Sequence, residues 1–70
     1  MFDYSKLRGR IREILGTQSA FAKLLNISEA TLSKKLNNDA EFTQGEMNRS
    51  SEVLDFALSE IPAYFFTIKV

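Results

Sequence analysis

Thr17-Gln-Ser-Ala-Phe-Ala-Lys-Leu-Leu-Asn-Ile-Ser-Glu-Ala-Thr-Leu-Ser-Lys-Lys-Leu-Asn-Asn38 carries the strongest structural signal in this 70-residue chain. Thr17 stands where an N-cap belongs, because its hydroxyl can accept from the free N–H groups of a following helical turn. Gln18 to Leu25 predicts a short second helix that buries Phe21, Ala22, Leu24 and Leu25. Asn26 terminates it, since Asn tolerates positive φ better than most residues. Ile27 plugs the core at the turn, and Ser28 is the next N-cap. Glu29 to Asn37 follow as a third helix with Leu32 and Leu36 facing inward at i, i+4 spacing. Two short helices joined by a turn of about three to four residues make a helix-turn-helix. The small Ala22 at the crossing, the Asn turn, the apolar plug and the immediate second cap set this stretch apart from a generic bundle.

The flanks extend the helical pattern. Tyr4, Leu7, Ile11, Ile14 and Leu15 recur at three- and four-residue spacing and predict a first helix, Tyr4 to Leu15, stopped by Gly16. Asn37, Asn38 and Asp39 interrupt the pattern. Thr43-Gln-Gly-Glu46 is a capping-box sequence that opens a fourth helix. Its inner face is Met47, Ser50, Ser51, Val53 and Leu54, and the two small serines point to close helix approach. Ser59 is the predicted cap of a fifth helix with Pro62 in its first turn and Leu58, Ile61 and Phe65 inward. Phe66 to Val70 alternate apolar and polar, as a short strand would. The expectation is an all-α, compact five-helix fold in a single domain over residues 1–70. Its helix-turn-helix occupies 17–38 and an apolar tail occupies 64–70.

Composition narrows the function. The chain has no Cys and no His. Disulfides, thiolate metal sites and the commonest general base are therefore missing from its repertoire. No nucleophile stands beside a base in any recognisable constellation, so the expectation is a non-enzyme with no cofactor, no metal and no small-molecule substrate. No apolar run approaches the roughly 18 residues needed to cross a bilayer, and the N-terminus does not read as a signal peptide, which predicts a cytoplasmic protein without a membrane partner. Formal charge is zero, but it is unevenly spread. Residues 1–38 hold seven cations against three anions, and residues 39–70 hold two against six. A neutral chain built this way can still present one cationic face.

The 17–38 stretch resembles the lambda-repressor-like family of phage repressors and Cro proteins, and the likeness runs from about Tyr4 to Phe66. More narrowly, Tyr4-Ser-Lys-Leu-Arg-Gly-Arg-Ile-Arg-Glu13 and Glu60-Ile-Pro-Ala-Tyr-Phe-Phe66 resemble small early-lysogeny regulators of phages from Gram-positive hosts. Some of these are Cro-like; others, modulators of repression, bind the phage repressor itself. The resemblance implies that Glu29, Ala30 and Lys34 face bases in the major groove, with Ser28, Thr31 and Ser33 flanking them. It implies that Gln18 clamps a phosphate beside Thr17, and that Asn37 and Asn38 meet the DNA backbone. Chemistry supports these roles unevenly. Lys34 can donate to guanine, Ala30 can meet a thymine methyl, and Glu29 can only accept, which suits a cytosine amine. Equally, Glu29 is a residue that the start of any helix favours. Lys35, Thr31 and Lys23 are expected at phosphate or solvent, and Arg8, Arg10 and Arg12 are either backbone contacts or solubilising charge.

Two partners follow. The first is double-stranded operator DNA, bound weakly by a monomer and better by two copies on half-sites about 34–36 Å apart. The tail residues Tyr64, Phe66, Ile68 and Val70 are the candidate homodimer or partner surface, while Tyr64 and Phe65 have the alternative of closing the monomer core. The second partner is the cognate phage repressor. It is favoured by the acidic bias after residue 38, by Glu29 on the third helix and by the apolar tail.

Overall fold

Five α-helices and one 3-10 turn make up the computed structural model, which describes residues 1–70. Helix α1 is Ser5–Leu15, α2 is Gln18–Leu24, α3 is Glu29–Leu36, α4 is Gln44–Val53 and α5 is Ile61–Phe65; the 3-10 turn is Leu58–Glu60. The all-α expectation holds.

Local chemistry places each boundary. Gly16 stops α1 at φ 85°, its N–H donating to the Ile11 and Arg12 carbonyls. Thr17 Oγ1 accepts from Ala20 N at 3.1 Å and Ser28 Oγ accepts from Thr31 N at 3.1 Å. Asn26 takes φ 60° between α2 and α3. Thr43 and Glu46 close the capping box of α4 reciprocally. Phe42 and Met47 occupy the N′ and N4 positions around that box, where an apolar pair fixes the angle at which the chain enters a helix.

Three arginines satisfy carbonyls at helix C-termini, where orphan acceptors and the negative end of the dipole favour a cation. Arg8 Nη2 donates to Leu36 O at the end of α3, and Arg49 Nε donates to Leu24 O at the end of α2. Arg10 spans the end of α4, with Nε on Leu54 O and Nη2 on Asp55 O, both at 2.8 Å.

The core is Tyr4, Leu7, Ile11, Phe21, Ala22, Leu25, Leu32, Leu36, Phe42, Leu54, Phe56, Tyr64 and Phe65. Leu15, Ile27, Met47, Val53 and Ile61 pack against it half-buried, and three residues expected in the core are exposed instead. Ile14 is exposed because Leu7, Ile11 and half-buried Leu15 form the row that faces the core. Leu24 is exposed because Phe21 and Ala22 of α2 and the C-cap Leu25 share the buried arc, and Leu24 falls off it. Leu58 is 63% exposed. It opens the 3-10 turn, and the whole stretch from Ala57 to Glu60 runs along the surface before α5 enters the core. Ser59 is inside that turn and caps nothing; Glu60 instead reaches back to accept from Ala57 N. The alternating tail makes a single antiparallel bridge, Phe2 with Ile68, rather than a strand. Asp3 N donates to Thr67 O and Lys69 N to Met1 O, so the two chain ends are stitched together.

Candidate interaction surface

Ser28, Glu29, Ala30, Ser33 and Lys34 all have exposed side chains along α3 and its cap. The α2–turn–α3 unit brings these five together. The result is a small, mixed-charge ridge: one carboxylate, one ammonium, two hydroxyls and a methyl. Ser28 is already engaged, since its hydroxyl donates to Thr31 Oγ1 while accepting from Thr31 N. Gln18 is half-buried and lines a polar hollow of about 150 Å³ with Arg8, Arg12 and Thr17.

Four residues expected at this surface or at the tail are committed elsewhere. Lys35 was expected at phosphate. It is 7% exposed and pairs with Glu46, because α3's helical phase turns it toward α4. The Asn37 Oδ1 accepts from Arg8 at 3.2 Å. The Asn38 side chain is tied to Phe2 at both ends: Phe2 N donates to Oδ1 at 2.8 Å and Nδ2 donates to Phe2 O at 2.9 Å. Asn38 itself sits at φ 65°. Tyr64, expected at a partner surface, is buried and stacked on Phe56 with centroids 4.1 Å apart, and Lys6 Nζ lies 4.7 Å above its ring. Phe66, Ile68 and Val70 remain exposed.

These commitments thin the cationic face. Of the seven cations in residues 1–38, Arg8 and Arg10 hold helix ends, Lys35 is paired and Lys6 covers Tyr64. Arg12, Lys23 and Lys34 are left without a hydrogen bond or an ion pair.

Residues 1–68 match the profile of a family described as a protein of unknown function (DUF739). The chain belongs to the DUF739 family. Among solved structures, this DUF739 chain is similar to the solution structure of the modulator of repression (MOR) of the temperate bacteriophage TP901-1 from Lactococcus lactis. Identity is 42%, the match covers 99% of this chain and 93% of the other, and the TM-score is 0.81. Among curated proteins no match is found. Of the two kinds of regulator that the sequence resembled, the similarity found is to a modulator of repression.

Several residues that shape this DUF739 surface escaped the sequence reading. Phe42 and Phe56 are buried core residues that lie between the expected helices. Phe42 had a usable signal, the staple position before Thr43; Phe56 had none, being isolated between α4 and the 3-10 turn. Glu46 was seen only as a cap partner, yet its Oε1 serves both Thr43 N and Lys35 Nζ. Burial pushes the Glu46 carboxyl up, but the hydrogen bonds from Lys35 and Thr43 outweigh it and leave its pKa below the ordinary value.

Proposed function

We propose that this chain is a modulator of repression of a temperate phage or prophage, a binding protein and not an enzyme, which acts in the host cytoplasm by gripping the phage repressor. The similarity to the TP901-1 modulator, 42% identity across nearly the whole chain, carries this reading. The physical chemistry of the surface supports it. Glu29 and Lys34 on one ridge can meet charges of either sign on a protein, whereas Glu29 repels a DNA backbone. The withdrawal of Lys35 into a pair with Glu46 removes one of the cations that phosphate contacts would need.

The test is to mix the purified chain with the repressor encoded beside its own gene. Under this reading the two co-elute as a stable complex, and the chain alone gives no shift of the promoter DNA between the two genes. A second reading keeps one specific support: the caps at Thr17 and Ser28 and the exposed Glu29, Ala30, Ser33 and Lys34 preserve the layout of a helix-turn-helix that enters the major groove. It requires a salt-sensitive, sequence-specific shift by the chain alone.

A further inference from the structure

Five aromatic rings form a continuous belt where the two chain ends meet the loop before α4. Phe66 packs edge-on to Phe2 at 5.7 Å, Phe2 meets Tyr4 at 6.2 Å, Tyr4 meets Phe42 at 5.4 Å and Phe42 meets Phe65 at 5.0 Å. All five line one cavity of about 350 Å³, together with Met1, Met47, Ala40, Asn38 and Glu41. That volume is at the small end of ligand-sized clefts, which begin at about 300 Å³.

The polar lining is sparse and decides what the cavity can take. The Asn38 amide is held by Phe2 at both its oxygen and its nitrogen, which leaves one N–H and one lone pair and no charge. Glu41 is the single lining residue with a charged side chain, and it makes neither an ion pair nor a hydrogen bond within the chain. Its field reaches the ring wall: burial raises the Tyr4 hydroxyl pKa, and the Glu41 charge raises it further. Another edge of the belt already tolerates a cation, with Lys35 Nζ 5.9 Å from the Phe42 centroid. Aromatic surface beside a free carboxylate attracts a cation carried on an apolar stem: the rings take the stem and part of the charge, and the carboxylate takes the remainder. A purely apolar side chain would draw nothing from the Glu41 carboxylate. An acidic or phosphate group would be repelled.

We propose that this aromatic cavity is a receptor for one basic side chain, Arg or Lys, presented by a protein partner, with Glu41 as its counter-ion. The inference rests on the reading that the chain binds a protein. Its first test uses a small probe, so that it can succeed or fail independently of the repressor.

The probe is N-acetyl-arginine methylamide, titrated into the isotopically labelled chain by NMR beside the uncharged citrulline analogue. The expected result is saturable shifts at Ala40, Glu41, Phe42, Phe65 and Phe66 for the arginine compound, with citrulline weaker. Glu41 is exposed, so Glu41→Gln should keep the fold, checked by an otherwise unchanged spectrum, and should weaken arginine binding about two- to five-fold through the lost ion pair. Equal shifts with both compounds, shifts centred elsewhere, or no effect of Glu41→Gln would overturn the proposal. So would shifts of the same amides on dilution without probe, which would assign the cavity to a second copy of the chain. If the cavity binds arginine but the chain never binds the repressor, the functional reading fails and the receptor stands.

Discussion

Lys35 and Glu46 form a nearly buried ion pair that joins the last turn of α3 to the first turn of α4, their side chains only 9% and 14% exposed. The same Glu46 oxygen closes the α4 capping box on Thr43 N. One carboxylate therefore fixes where α4 begins and how α3 is rotated, and that rotation leaves Glu29, Ala30, Ser33 and Lys34 outward. A buried pair is poor evidence of added stability, because desolvation offsets much of the attraction, but breaking one side leaves a charge stranded.

Glu46→Ala is accordingly expected to cost about 2–4 kcal/mol, from the stranded Lys35 ammonium and the lost capping box. Replacing both partners, Lys35→Met with Glu46→Gln, should recover most of that loss. Urea denaturation of the two variants and the wild type measures the difference.

The lowered Glu46 pKa gives a pH dependence with a defined sign. A carboxyl held below its ordinary value of 4.5 contributes stability that is fully present above that value and is lost as pH falls through the lower folded value. The wild-type melting temperature should therefore fall below about pH 4.5, and the fall should be shallower in Glu46→Gln. Thermal melts from pH 7 to pH 3 follow both.

Asn38 ties the α3–α4 loop to the N-terminal segment through two hydrogen bonds with Phe2. Asn38→Ala is expected to destabilise by about 1–3 kcal/mol, through those bonds and the strain of a Cβ-bearing residue without Asn's local compensation at φ 65°. Asn38→Gly relieves the strain and not the hydrogen bonds, so it should lie between. Amide exchange at Asp3 and Lys69, which bond across the stitched chain ends, should quicken in both variants.

Arg10 tests whether the charges of α1 are structural. Arg10→Ala should cost about 1–2 kcal/mol, since it frees the Leu54 and Asp55 carbonyls at the end of α4. Arg12→Ala, which loses no hydrogen bond, should stay within about 0.5 kcal/mol of wild type. Chemical denaturation compares them.

The helices were legible because their boundaries are local chemistry. Thr17, Ser28, Thr43 and Gly16 each stop or start a helix within a few residues of themselves, and Asn26 takes the positive φ expected of it. What could not be read is decided between elements. Nothing in the sequence near Lys35 says that α4 will place a carboxylate against it. Nothing near Arg8 or Arg10 says that helix ends 28 and 44 residues away will claim them. The exposed ridge of α3 follows from the period of Leu32 and Leu36, which turns Glu29, Ala30, Ser33 and Lys34 outward. Lys35, Asn37, Asn38 and Tyr64 each meet a partner distant in sequence, which no local pattern announces. The aromatic cavity was hidden for the same reason, since its rings come from both chain ends and from Phe42.

The most direct measurement is a three-component mobility shift on the promoter beside the gene, with the neighbouring repressor alone, this chain alone, and both together. A modulator that grips the repressor predicts no shift by this chain alone and loss or alteration of the repressor's shift when it is added, with the two proteins co-eluting. A specific shift by this chain alone that weakens steeply with salt, with the repressor's shift unaffected, would contradict it.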